Sequence, residues 1–212
     1  MRESYVGRAK NPVRSYAPPV TYHPASGPLC HLATRKAFWL MPIDCSQLSS
    51  IIQAYRDQAV AWLEDLIRFP STQGQEAEVQ AYCLQRLREL GLQAEYRPIP
   101  DSIFDDPEYT HGDNEQSYEG RPNVVGTLGG KKGRSVILSS HSDVVPAATW
   151  DEAFAPSYDG EYVVGRGASD AKGQIVTMWL ALAALREAGF EPRGRIEAQI
   201  VIEEEPGGNG AL

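Results

Sequence analysis

His141 and Asp143 stand two residues apart at the end of a strand-like apolar run, Val136-Ile137-Leu138, within Ser139-Ser140-His141-Ser142-Asp143-Val144-Val145-Pro146. An imidazole and a carboxylate at a strand end sit where α/β enzymes place their chemistry. Two later stretches repeat the form. Asp170 lies in the Gly-rich turn Gly165-Arg166-Gly167-Ala168-Ser169-Asp170-Ala171-Lys172-Gly173 ahead of a helix, and Glu203, Glu204 and Glu205 follow Ile200-Val201-Ile202 and precede Pro206-Gly207-Gly208. One neutral imidazole with hard carboxylates is a ligand set for Zn²⁺, Co²⁺ or Mn²⁺ rather than a thiolate site. A carboxylate can bridge two ions about 3.5–4 Å apart, an arrangement that clamps both sides of a hydrolytic transition state. Each piece alone has a plainer reading: a chance His-x-Asp, an Asp capping a helix, a solvated run of acids. Together, in this order and at these structural positions, they point to a two-metal hydrolase site.

The elements that must position these groups are legible in the periodicity. From Ser46, apolar residues Ile51, Ile52, Tyr55, Ala59, Trp62, Leu63, Leu66 and Ile67 recur at helical spacing, with Ser49 or Ser50 as N-cap and Pro70 as the stop. Ser71 or Thr72 is expected to cap a second helix through Val79, Cys83, Leu84, Leu87 and Leu90, closed by Gly91. Glu76 and Glu78 suit its first turn. Strands are expected over 93–99, 123–128, 135–140, 161–164 and 195–203, with 100–121 a surface loop and 129–133 a turn that joins two of the strands as a hairpin. Residues 171–188 are apolar nearly all round, the pattern of a helix buried against a sheet. Strand, helix, strand makes a βαβ unit, so the fold class is α/β with a mixed, partly parallel sheet flanked by helices. In such a sheet, residues past the carboxyl ends of strands converge on one crevice, which brings together His141, Asp170 and the Glu204-Glu205 pair.

Composition excludes several functions. The 212 residues are 42% apolar and 23% charged, with net charge −8. That balance speaks against a nucleic-acid or anionic-membrane surface and favours cationic cofactors. The run Ala37-Phe38-Trp39-Leu40-Met41-Pro42-Ile43 is too short to span a membrane. Cys30, Cys45 and Cys83 form no even or close-spaced set, so reduced thiols and a cytoplasmic location are expected. Lys131 lacks a preceding phosphate-loop glycine, and Asp170 replaces the third glycine of a dinucleotide turn, so no nucleotide is indicated. His111, in a polar acidic loop, reads as solvated.

Residues 1–40 hold Pro12, Pro18, Pro19, Pro24 and Pro28 and six Lys or Arg against one acid. They read as a disordered Pro-rich basic tail. Such a piece fits a partner-binding arm, a transit peptide or, the preferred reading, a non-native extension ahead of Met41. Residues 41–212 form the remaining domain.

The motifs Asn123-Val124-Val125-Gly126, His141-Ser142-Asp143-Val144-Val145-Pro146, Gly165-Arg166-Gly167 with Asp170-Ala171-Lys172-Gly173, and Glu203-Glu204-Glu205 before Gly207 resemble the dinuclear zinc amidohydrolases that include acetylornithine deacetylase, succinyl-diaminopimelate desuccinylase, aminoacylase and glutamate carboxypeptidase. The resemblance implies two Zn²⁺ ions (Co²⁺ or Mn²⁺ as substitutes), with His141 on one, Glu205 on the other and Asp170 bridging. It makes Glu204 the general base for a water shared by the ions and Asp143 the residue that orients and polarises His141. Lys172 and Gly173 read as structural, Lys172 solvated and Gly173 permitting close packing. The reaction implied is cleavage of an N-acyl or peptide bond beside a free carboxylate, on a small acylated amino acid or short peptide. Family members continue with a further acidic ligand, a lid domain used for dimerisation and a late His. The resemblance therefore implies an N-terminal, incomplete part of a zinc-exopeptidase-like catalytic domain, inactive or nearly so as it stands, whose full-length form is a homodimer. The alternatives are a non-catalytic partner-binding or regulatory domain that retains the scaffold, and a different two-metal aminopeptidase of similar sheet topology.

Overall fold

The computed structural model describes residues 44–111 and 117–212. The expected tail 1–40 lies outside the described residues. Four helices, α1 (Cys45–Ala54), α2 (Arg56–Ile67), α3 (Ala77–Glu89) and α4 (Lys172–Glu187), accompany a four-stranded sheet of β1 (Gln93–Arg97), β2 (Asn123–Gly129), β3 (Val136–His141) and β6 (Arg195–Val201). A separate ribbon pairs β4 (Ser157–Tyr158) with β5 (Val163–Val164).

The sheet order is β1-β2-β6-β3. β1 pairs β2 and β2 pairs β6 antiparallel, whereas β3 and β6 run parallel with His141 opposite Val201. The expected mixed, partly parallel sheet with flanking helices is present. The expected hairpin between β2 and β3 is not, because β6 lies between them. The reason is a long-range contact: the turn after β2 bonds to the segment that leads into β6, Gly130 N–H donating to Pro192 O (3.1 Å) and Lys132 N–H to Arg193 O (2.9 Å).

Alternation on β6 buries Ile196, Ala198 and Ile200 against the helices and leaves Glu197 and Gln199 half-buried. One contiguous core joins these to Trp62 and Leu66 of α2, Val79, Cys83 and Leu87 of α3, and Ile175, Trp179 and Leu182 of α4. Trp179 meets Trp62 edge-on with ring centroids 6.1 Å apart.

Several helix ends differ from expectation. The single helix expected over 46–67 is two, broken at Tyr55 (φ −85°, ψ 1°), whose N–H is shared between Ile51 O and Ile52 O. Asp44 caps α1, its side chain accepting from Ser46 N–H, so Ser49 and Ser50 lie inside the helix. α1 buries none of its residues fully, and Ile52 stays exposed. α3 begins at Ala77, and Ser71 instead donates its Oγ–H to Ser142 O (2.7 Å), tying the loop to the end of β3. Gly91 does close α3: at φ 90° it lets Leu92 N–H reach back to Leu87 O (3.0 Å). The strand expected over 161–164 shortens to Val163–Val164, and β6 stops at Val201 because the chain turns left-handed at Glu203 (φ 53°).

Candidate metal centre

β3 and β6 are parallel neighbours, so their carboxyl ends open on the same edge of the sheet. His141 is the last residue of β3, the acidic triplet follows β6, and Asp170 immediately precedes the opening of α4. This is the convergence expected from the strand-helix-strand order. His141 Nε2 lies 3.0 Å from Asp170 Oδ1 and 3.5 Å from Glu204 Oε2. One ligand atom each from His141, Asp170 and Glu205 fall within 4.8 Å of one another.

Asp170 is not a helix cap: Ala171 occupies the N-cap position and no side chain caps α4. The Asp170 side chain is 75% exposed and meets the His141 ring through Oδ1. On the opposite side of His141, Asp143 is buried. His141 Nδ1 lies 3.1 Å from Asp143 O and 3.4 Å from Asp143 Oδ1, so an Nδ1–H is held by Asp143 and Nε2 is aimed at Asp170 and Glu204. Asp143 Oδ2 accepts from Glu205 N–H (3.0 Å), which joins the two strand ends through one carboxylate.

The electrostatics ask for a cation. Burial pushes the Glu205 carboxyl above the usual carboxylate range, and the Asp170 carboxylate pushes in the same direction. Burial alone would lower the His141 pKa, but Asp143, Asp170 and Glu204 outweigh it and raise the imidazole to about 9. A carboxyl held above its ordinary range by its neighbours and an imidazole that keeps its proton among carboxylates are both relieved when a divalent ion takes that proton's place. Asp143 Oδ1 is buried without a hydrogen-bond partner, left to face the His141 ring. The donor set, one imidazole and carboxylates, fits zinc, cobalt or manganese.

Beside this cluster lies a cavity of about 330 Å³ whose lining includes Thr72, Gln73, Val145, Pro146, Glu205 and Pro206. A larger depression of about 530 Å³ between α1, α2 and α4, with Val60, Leu63 and Leu180 in its walls, holds none of the candidate ligands. His111 is exposed, stacks edge-on against Tyr109 with centroids 4.8 Å apart, and is not part of the ligand cluster.

Lys172 corrects the expectation of a solvated side chain. It is fully buried, its Nζ donates to Phe69 O (2.7 Å), and burial lowers its pKa to about 8. The signal was present, since the helix it opens is apolar on nearly every face. Gly173 does permit close packing, as a Cβ there would lie 2.4 Å from Ala168 O.

A supporting layer was not anticipated at all. Gln80 of α3 donates through Nε2 to Ser142 Oγ (3.2 Å) and Ile200 O (3.1 Å), fixing the spacing of the two strand ends. Asn123 accepts from Ile202 N–H through Oδ1 (3.0 Å), holding the chain just before the acidic triplet. Glu203 is buried and turned away from the crevice, so the three glutamates do not act as one patch.

Residues 137–212 match the model of Peptidase family M20/M25/M40. A stretch of 102 residues is 38% identical to the N-formyl-4-amino-5-aminomethyl-2-methylpyrimidine deformylase of Bacillus subtilis (strain 168), covering 45% of this chain and 24% of that protein. Among solved structures, human carnosine dipeptidase 1 aligns with a TM-score of 0.58 at 20% identity over 73% of this chain and 34% of that one. The dipeptidase Dug1p of Saccharomyces cerevisiae aligns with a TM-score of 0.55 at 18% identity over the same shares. The structural likenesses show the fold, and with the family match they bear out the resemblance read from the motifs. The chain spans about a quarter of the curated relative's length and about a third of the two solved chains.

Proposed function

We propose, from a chain that is similar to Peptidase family M20/M25/M40 across the segment holding all five candidate residues, that it carries part of the metal centre of an amide hydrolase. The observation that carries the reading is the meeting of His141, Asp170 and Glu205 ligand atoms within 4.8 Å. His141 and Glu205 would each hold a divalent ion, and Asp170, whose side chain is largely exposed, would serve both. Two bound zinc ions, or cobalt or manganese in their place, supply Lewis acidity toward an amide carbonyl and toward water.

The chain's own groups have divided roles. Asp143 keeps the proton on His141 Nδ1, which leaves the Nε2 lone pair for a cation. It also anchors the backbone of Glu205, so both ligands answer to one buried carboxylate. Glu204, half-exposed and 3.5 Å from His141 Nε2, is the group free to take a proton from attacking water and return it to the leaving amine. The adjoining cavity, with the apolar walls Val145, Pro146 and Pro206 and polar Thr72 and Gln73, has the size and character for an acyl group or one amino-acid side chain. The substrate class is an N-acyl amino acid or short peptide with a free carboxylate.

The test uses the polypeptide encoded by the full reading frame, assayed on acyl-amino acids and dipeptides with and without chelator. Amine release that chelation abolishes, and that Glu204→Gln abolishes while metal stays bound, is the expected result. Release indifferent to chelator overturns the metal-centre reading; release undiminished in Glu204→Gln overturns the assignment of the base.

A further inference from the structure

The acidic triplet splits at its first residue. Glu203 has φ 53°, a left-handed conformation that a side chain with a Cβ rarely adopts, and its carboxylate is 1% exposed. Such a conformation persists where surrounding contacts over-determine it. Here the contacts are specific. Glu203 Oε1 accepts from Arg121 Nη2, and Oε2 accepts from Tyr118 Oη–H at 2.6 Å. Arg121 is itself fixed from the far side, with Nε 3.1 Å from Glu76 Oε2, an ion pair outside hydrogen-bond geometry, and its guanidinium lies 5.3 Å from the Tyr118 ring centre. Glu76 is the residue from which α3 starts, so the chain of contacts runs from a helix end, through one guanidinium, to the turn that follows β6.

The direction of that pull matters for the next two residues. With the Glu203 side chain drawn inward, the left-handed step sends Glu204 and Glu205 toward the crevice. Glu204 is half-exposed there, its carbonyl accepting from Gly207 N–H (3.1 Å) and Gly208 N–H (2.8 Å), while Glu205 N–H reaches Asp143. We propose that Arg121 and Glu203 form a positioning pair whose buried contact sets the left-handed step and so aims Glu204 and Glu205 at the metal centre. The inference rests on the metal-centre reading and deepens it: neither residue touches a metal or substrate, and both act through the backbone of residue 203.

The experiment titrates the polypeptide encoded by the full reading frame with Co²⁺, following its visible absorption, alongside urea unfolding. Glu203→Gln and Arg121→Lys are compared with Leu87→Ala, a core change that lowers stability without touching the turn. Glu203→Gln and Arg121→Lys each weaken Co²⁺ binding about tenfold and alter the absorption bands, in the range seen when a group supporting a metal ligand is lost. Leu87→Ala lowers the urea midpoint and leaves Co²⁺ affinity unchanged. The Glu203→Gln, Arg121→Lys double variant binds Co²⁺ no more weakly than either single one, because both remove the same contact. Tyr118→Phe, which removes one hydrogen bond to Glu203 and keeps the ring under Arg121, gives a smaller change in the same direction and serves if a charge variant does not fold. Wild-type affinity and bands in folded Glu203→Gln or Arg121→Lys overturn the proposal and confine the pair to stability. Failure of the wild-type chain to bind Co²⁺ overturns the metal-centre reading and this proposal with it.

Discussion

Replacing Gly173 with alanine sets two known effects against each other at the turn that presents Asp170. Gly173 is the second residue of α4, and in a helix alanine is favoured over glycine by about 1 kcal/mol. Against that, the new Cβ would sit 2.4 Å from Ala168 O, where contacts under 3.0 Å force a shift. The neighbour is backbone and cannot rotate away. It belongs to a turn held by Ala168 N–H to Gly165 O (3.2 Å) and Lys172 N–H to Gly167 O (2.9 Å). Relief therefore requires a displacement of roughly 0.6 Å, at the cost of about 1–3 kcal/mol usual for overpacking. The net expectation is destabilisation by up to about 2 kcal/mol, read from urea unfolding. Because Asp170 is two residues from Ala168, and metal sites tolerate only about 0.2 Å of ligand error, Co²⁺ affinity should fall as well. A variant stabilised by about 1 kcal/mol with wild-type Co²⁺ affinity would show that propensity wins, that the close approach is absent, and that the reasoning about this turn is wrong.

Other expectations follow from burial and charge. Trp179→Ala removes the largest fully buried side chain among the described residues and should cost about 3–5 kcal/mol in denaturant unfolding; a loss under about 1 kcal/mol would mean the core is not packed as described. Cys83 is fully buried and burial pushes its thiol well above the usual range, so an alkylating reagent should label it only in denaturant, as read by peptide mass spectrometry. Labelling of Cys83 in the native chain would contradict that packing. Glu76 is fully buried, and desolvation raises its carboxyl from 4.5 to about 7 even though Arg121 pulls it down. A folded pKa above the unfolded one means tighter proton binding in the folded state, so its contribution is complete below about pH 4.5 and is lost as pH rises through about 7. Wild type should lose up to about 3 kcal/mol relative to Glu76→Gln across that window, and parallel pH profiles for the two proteins would refute it.

The end of β3 and the start of α4 were legible, and the end of β6 to within two residues, because apolar patterning breaks at His141, Asp170 and the glutamates, and sheet topology brings such ends together. The position of β6 was not legible. Two strands separated by Gly129-Gly130-Lys131-Lys132-Gly133 carry a hairpin signal, and only the long-range bonds of Gly130 and Lys132 to residues 192 and 193 place another strand between them. The buried polar layer was equally hidden. Glu76, Arg121 and Lys172 are types that usually seek water, and nothing local marks a charged residue whose partner lies 45 or 82 residues away, as for Arg121 with Glu76 and Glu203. The Glu204-Glu205 pair was legible as the part of the triplet that serves the site, but the inward turn of Glu203 was not, since it depends on a guanidinium from another part of the chain.

His141, Asp170 and Glu205 are proposed as ligands of divalent cations. Co²⁺ titration of the polypeptide encoded by the full reading frame and of its His141→Ala, Asp170→Asn and Glu205→Gln variants, with circular dichroism to confirm folding, decides the matter. Visible absorption bands are expected in the wild type, with their loss or marked weakening in each folded variant. No bands in the wild type, or the same titration curve in all four proteins, would rule these ligands out.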